Sequence, residues 1–247
     1  MIEITTEHVQ LGVNDGTAMR AFVARPREKG ANPGLLVFQE AFGVNGHIRD
    51  VAMRFAREGF VAIAPELFHR SAPAGWEGSY DDFPGVVPHM KALNDSATAA
   101  DQRAAFDWLR GYIGELPILS IGYCMGGRAS FLAAIALPLA GAVSYYGGGI
   151  APNPSNSGLL GRATGVQCPL LLFWGGRDKH IPPDQVKAVA DALRGAGKNF
   201  VNVEISNADH AFFCDARPSY SPAAALLAWP LTLAFLRARS GSKTAGP

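Results

Sequence analysis

Three residues of this 247-residue chain could act together on a carbonyl carbon: Cys124, Asp178 and His210. A thiolate can attack the carbon, a histidine can take the thiol proton and later activate water, and a carboxylate can hold the histidine in the useful orientation. Cys124 stands in Gly122-Tyr123-Cys124-Met125-Gly126, the nucleophile-elbow spacing G-x-S-x-G with cysteine in place of serine. That spacing serves a tight strand-to-helix turn whose flanking backbone runs too close to its neighbours for side chains. A thiol at its tip faces the positive end of the following helix, which favours the thiolate. The bland alternative is a buried structural cysteine in a glycine-rich turn.

The elements that must position these residues follow in order. Residues 2–11 and 18–24 read as two strands joined by the turn Asn14-Asp15-Gly16. Continuous apolar runs at 35–38, 60–64, 118–121, 141–146 and 170–174 read as strands buried on both faces, and 200–205 as the last strand. Between them Asn45 opens a helix with Ile48, Val51, Ala52, Phe55 and Ala56 on one face, and Gly59 closes it. Further helices are expected from Asn94 or Asp95 to about Ile113, over 127–137, over 182–196, and after Ser221-Pro222, with Pro230 kinking or splitting the last one.

Strands alternating with helices imply a mostly parallel sheet covered on both faces, in a single domain over 1–247. In such sheets the site lies at the carboxyl ends of the strands. Glu40, Cys124, Asp178 and His210 each fall just after an apolar strand, and the order nucleophile, acid, histidine is that of the elbow hydrolases. Asp178 could instead cap the next helix, His210 could be a surface histidine and Glu40 a solvated loop carboxylate. An oxyanion hole would take one backbone N–H from Met125 and one from Ala41.

Residues 69–92 show no clear period and carry Trp76, Tyr80 and Phe83 among glycines and prolines, which suggests an aromatic lid over a site. Residues 147–165 read as a surface excursion, and 238–247 as a disordered tail.

Composition narrows the function classes. The net charge of +1 gives no electrostatic case for nucleic acid or an anionic membrane, and no apolar run of eighteen residues appears. The first residues lack a signal-peptide pattern. Cys124, Cys168 and Cys214 are too scattered for a disulfide framework or zinc site, and His8, His47, His69, His89 and His180 show no metal-ligand spacing. The expectation is a cytoplasmic protein with reduced thiols, no metal and no cofactor, a monomer or weak homodimer.

Four segments carry a family resemblance: Gln39-Glu40-Ala41-Phe42-Gly43-Val44-Asn45, Gly122-Tyr123-Cys124-Met125-Gly126-Gly127, Gly175-Gly176-Arg177-Asp178 and Asp209-His210-Ala211-Phe212. With Tyr145-Tyr146-Gly147 and Thr232-Leu233-Ala234-Phe235, they resemble the signature segments of the dienelactone hydrolase family over about residues 2–237. The resemblance implies an α/β-hydrolase fold without a large cap domain and a Cys-His-Asp triad matching Cys124, His210 and Asp178. It also implies a glutamate, matching Glu40, that helps switch the cysteine to its reactive form when substrate arrives. The family reaction opens the enol lactone 4-carboxymethylenebut-2-en-4-olide to maleylacetate.

The substrate segment departs from that pattern. Residues 71–91 contain no arginine, and the arginine expected four residues after the histidine is Cys214. Arg70 and Arg217 are the substitutes at hand for gripping an anionic group, with Phe42, Trp76, Tyr80, Tyr145 and Phe212 as candidate lining. Two rival functions stay open: a carboxylesterase or thioesterase of other substrate range, and a non-catalytic ligand-binding or redox-sensing relative.

Overall fold

The computed structural model describes residues 2–153 and 156–241. The chain divides into two compact units, Met1–Leu119 and Ser120–Pro247.

In the first unit β1 (Ile4–Gly12) and β2 (Ala18–Pro26) form an antiparallel hairpin whose last pair is Gly12 with Ala18. Asp15 Oδ1 fixes the turn by accepting from the Thr17 N–H at 3.0 Å. β3 (Gly34–Phe38) and β4 (Val61–Pro65) are buried at every residue, which is why they read as unbroken apolar runs. They run parallel to one another, β2 pairs antiparallel to β4, and the order is β1-β2-β4-β3. α1 (Gly46–Arg57) is the crossover between β3 and β4. Its cap is Asn45, whose Oδ1 accepts from the Ile48 N–H at 3.3 Å, and the five apolar positions expected to face inward are all buried. α3 (Asp95–Ile113) starts from Asn94, which accepts from the Ala97 N–H at 2.9 Å.

The stretch 69–92 is less irregular than its composition suggests, because α2 (Phe83–Ala92) occupies its second half. Asp82 caps it, accepting from the Gly85 N–H, and Pro84 fits the first turn, where a missing N–H costs nothing. Pro88, inside the helix, hid it from a reading by period.

In the second unit β5 (Ile118–Tyr123, its first two residues in the first unit), β6 (Gly141–Tyr145), β7 (Leu170–Gly175) and β8 (Phe200–Ile205) follow in that order. β6, β7 and β8 pair in parallel. α4 (Met125–Ala136) follows β5, and α5 (Pro183–Gly195) joins β7 to β8, burying the expected Val186, Val189, Ala190 and Leu193. α6 (Pro222–Ser240) is assigned as one continuous helix through Pro230, so the proline does not split it.

Two expectations need correction. The connection 147–165 is not all surface: Ile150 and Leu159 are fully buried and a 3-10 turn, Leu160–Gly165, closes it. The expected tail begins too early at 238, since α6 runs to Ser240 with that residue buried; its remainder, 242–247, lies outside the described residues.

Candidate active site

The second unit holds the expected nucleophile at the end of β5. Cys124 adopts φ 55°, ψ −118°, a conformation side chains rarely accept, and forms the N-cap of α4. The turn can be this tight because position 122 has no side chain: a Cβ on Gly122 would lie 1.8 Å from the Gly126 carbonyl oxygen. Hydrogen bonds hold it on both sides. Cys124 N–H donates to Tyr145 O at 3.0 Å, Gly127 N–H donates to Cys124 O at 2.9 Å, and the buried Ser120 and Ser130 hydroxyls pair at 2.8 Å across the elbow. Met125 is the first residue of α4, where helix geometry leaves an N–H without an intrahelical acceptor.

Asp178 and His210 arrive on neighbouring loops. Gly175 lets them approach, since a Cβ there would meet Ala208 O at 2.7 Å and Asp209 O at 2.8 Å. Arg177 N–H donates to Ala208 O at 2.9 Å, and Asp209 Oδ1 accepts from the His210 N–H at 2.8 Å. The two oxygens of Asp178 divide their work. Oδ1 accepts from the His180 and Ile181 N–H groups at 2.7 and 3.2 Å, and Oδ2 faces His210 Nδ1 at 2.7 Å. Both residues are buried. With Nδ1 so engaged, Nε2 is the ring nitrogen left for the Cys124 side chain, which hydrogen-bonds His210.

The electrostatics follow from this arrangement. Burial pulls the His210 pKa down, but negative charge on the Cys124 sulfur and the hydrogen bonds His210 makes to Asp178 and Cys124 outweigh it and lift the imidazole to about 10.

The other candidates separate. Tyr145 and Phe212 are core residues, not pocket lining: both are fully buried, and the Tyr145 hydroxyl pairs with Thr232 Oγ1 at 2.6 Å. Burial pushes that phenol well above its usual range, against the opposing pull of the Thr232 bond. Arg217 is half-buried.

In the first unit, Gln39 shapes the Glu40 turn by accepting from the Leu67 N–H at 3.0 Å and donating to Glu40 O at 3.4 Å. Glu40 is fully buried, and among the described residues neither carboxylate oxygen has a hydrogen-bond partner. Ala41 and Phe42 form a buried cluster with Val86, on which half-buried Trp76 and Tyr80 pack. Phe42 and Tyr80 meet edge to face at 4.6 Å, and Tyr80 Oη accepts from Asn45 Nδ2 at 2.9 Å. Arg70 is committed elsewhere: it donates to Asp15 at 2.6 and 2.8 Å and to both oxygens of buried Asp101 at 2.8 Å. A substrate carboxylate would have to displace those two acids, so the expectation for Arg70 fails on its pairing.

Two neighbours of the histidine escaped sequence reasoning. His180, which shows no metal-ligand spacing in the sequence, is exposed but sets its ring 5.1 Å from that of His210. Its signal was its place two residues after Asp178, in the turn whose N–H groups hold the acid. Tyr146, with φ 39°, lies 5.1 Å from the His210 ring on its own side.

The dienelactone hydrolase family profile matches residues 19–240. The chain belongs to that family. An Escherichia coli K12 protein named "Putative carboxymethylenebutenolidase" is 36% identical over 237 residues, 94% of this chain and 86% of that protein. A Synechocystis protein of the same name is 34% identical over 225 residues, 87% of this chain and 90% of its own. Among solved structures, a Klebsiella pneumoniae "Putative Dienelactone Hydrolase" superposes with a TM-score of 0.85 at 33% identity, covering 94% of this chain and 98% of that one. The fold is therefore the α/β-hydrolase fold with a mostly parallel sheet of eight strands, and the protein is a dienelactone hydrolase-like hydrolase. No helix among the described residues is long and apolar enough to cross a membrane.

Proposed function

We propose that this hydrolase, acting as a single catalytic domain in the cytoplasm, cleaves a small ester or lactone through Cys124, His210 and Asp178. The observation that carries the reading is one imidazole shared by two partners: Asp178 stands 2.7 Å from Nδ1 of His210, and the Cys124 side chain hydrogen-bonds the same ring. The Cys124 thiolate attacks the carbonyl carbon. The oxyanion that forms is held by the N–H groups of Met125 and Ala41. Collapse expels the alkoxide or enolate, which takes the imidazolium proton, and leaves an acyl thioester on sulfur. His210 then takes a proton from water, hydroxide equivalent adds to the thioester, and the carboxylic acid leaves as thiolate and imidazolium are restored.

Within the proposal, 71–91 acts as the substrate segment, supported by the packing of Trp76 and Tyr80 on the Ala41–Phe42 turn. The family reaction, lactone opening of the carboxymethylenebutenolide type, is the first candidate, with Arg217, near the His210 loop in sequence, proposed to read a carboxylate. The pairing of Arg70 and the arginine-free 71–91 favour a second reading, an esterase of uncharged substrates. A hydrolysis screen against cis- and trans-dienelactone and neutral aryl esters, with intact-mass detection of an acyl adduct, tests both. Turnover with an adduct on Cys124 is expected. Protein inert to every activated ester, with a thiol of ordinary reactivity, would point instead to a binding or redox-sensing relative.

Glu40 is proposed as the restraint on the thiol. A buried carboxyl group without a partner is costly and is expected where function demands it. Held near the thiol, it would disfavour the thiolate until substrate displaces the contact. With Cys168 and Cys214 first changed to serine, Glu40→Gln is expected to alkylate with iodoacetamide several-fold faster without substrate and to hydrolyse more slowly. Identical inactivation profiles with unchanged turnover would leave Glu40 a structural residue.

A further inference from the structure

α6 differs from the other surface helices in what it shows to solvent. α5 exposes Asp184, Lys187, Asp191 and Arg194, and α3 exposes Asp107 beside Arg103 on its outer turns, the ordinary polar face of a half-buried helix. α6 buries Ala224, Ala228, Thr232, Leu233, Phe235 and Leu236 on one side. Its other side is apolar too: Ala223, Leu226, Leu227, Pro230, Leu231 and Ala234 are all exposed, and residues 222–236 contain no charged side chain. Leu226 keeps 75% of its surface, Leu227 68% and Leu231 38%. Single exposed leucines are normal in soluble proteins, but a contiguous stripe over three turns is the mark of an interaction surface.

We infer that this stripe is a homodimer interface, in which α6 packs antiparallel against α6 of a second copy across a two-fold axis. Two arguments select that occupant.

The first is self-complementarity. A two-fold contact presents the same patch on both sides, so residue i must suit j while j suits i. The exposed positions 223, 226, 227, 230, 231 and 234 are spaced identically in either direction. Antiparallel pairing sets Ala223 against Ala234, Leu226 against Leu231 and Leu227 against Pro230. Small residues meet at the ends, where they allow the axes to approach, and large ones fill the middle. With no charge on the stripe, no like-charge contact opposes the pairing, whereas a dedicated foreign partner would usually be selected by charged residues at the rim.

The second is size. The stripe covers about 18 Å of helix axis and offers on the order of 500 Å² per copy. A two-fold contact would therefore bury on the order of 1,000 Å² in total, the lower bound for a specific interface. The dimer is accordingly weak and reversible, with a dissociation constant on the order of 10 µM. The positively charged face that an interfacial membrane helix needs is absent from 222–236.

Sedimentation velocity of the full chain from about 1 to 200 µM tests this, with circular dichroism melts as the folding control. The wild type is expected to pass from monomer to dimer across that range. Leu226→Glu and Leu231→Lys are each expected to weaken association at least tenfold while melting like the wild type, because both positions are exposed. Combined, they are expected to recover much of the loss, since the antiparallel register sets Glu at 226 of one copy against Lys at 231 of the other. A wild type monomeric at 200 µM would overturn the proposal outright. So would single variants as dimeric as the wild type, or a double variant weaker than either single one. Monomeric wild type that floats with phosphatidylcholine vesicles would likewise overturn it and reassign the stripe to lipid.

Discussion

Among the described residues, each unit holds a histidine paired with a buried aspartate, and the two pairs do different work. His69 Nε2 lies 3.1 Å from Asp101 Oδ1, and His210 Nδ1 lies 2.7 Å from Asp178 Oδ2. Both acids sit behind their histidines with almost no side-chain exposure. What separates them is where the remaining lone pairs go. Asp101 is saturated by Arg70, which grips both its oxygens and ties the pair to Asp15 in the β1–β2 turn. Asp178 takes only two backbone N–H groups on its other oxygen, so its charge remains directed at one imidazole, and that imidazole faces sulfur. A carboxylate neutralised by a guanidinium fastens a turn to a helix, whereas one held by N–H groups tunes a neighbouring base.

The largest expected effect separates the pairs at once. Cys124→Ala should lower kcat by more than about a thousandfold, and Asp178→Asn by roughly a hundred- to ten-thousandfold through loss of the imidazole's orientation. Asp101→Asn should leave kcat per folded molecule within about threefold. Steady-state hydrolysis of an aryl ester by the three variants checks this, and an Asp101→Asn defect as deep as that of Asp178→Asn would erase the distinction.

Stability should show the reverse ranking. Asp101→Asn leaves the Arg70 charge half-compensated over a buried amide and should cost about 2 kcal/mol, seen as a lower denaturation midpoint. Asp178→Asn, whose backbone N–H partners can still donate to the amide oxygen, should cost less.

A third expected effect is a dependence on pH. His210 has a folded pKa of about 10, above the ordinary value of 6.5 that it regains on unfolding. Its contribution to stability is therefore complete below about pH 6.5 and is lost as pH rises through about 10. The melting temperatures of wild type and His210→Gln should differ most near pH 6 and converge toward pH 10. Asp101→Asn should leave that convergence unchanged. A gap that widens with pH would show that the imidazole is buried neutral.

How much of this could be read in advance depended on whether the signal was local. Strands such as Leu35–Phe38 and Leu170–Trp174 announce themselves because burial on both faces leaves no polar residue in the run. The triad was legible because strand ends, turn glycines and chain order each constrain it separately. α2 was not, because its stop signals, Gly85 and Pro88, lie inside a helix whose start is set by a proline in the permitted position. Tyr145 and Arg70 were misread for a different reason. Whether a tyrosine at a strand end faces a pocket or Thr232, and whether an arginine is spent on Asp101, is decided by partners 87 and 31 residues away, and no local pattern records them. His180 was passed over because an exposed histidine in a polar turn looks the same whether or not another ring stands beside it.

The elbow at Cys124 is held by Gly122, by the Ser120–Ser130 pair and by main-chain bonds, none of which involves sulfur. The fold thus supplies a perch that is indifferent to the atom placed on it. Exchanging sulfur for oxygen there would keep the architecture and alter only proton ownership. Without a charged neighbour at that position, His210 would lose the largest influence raising its pKa and keep only what Asp178 supplies. Backbone geometry decides where the attacking atom stands, and the element placed there decides how firmly its histidine holds a proton.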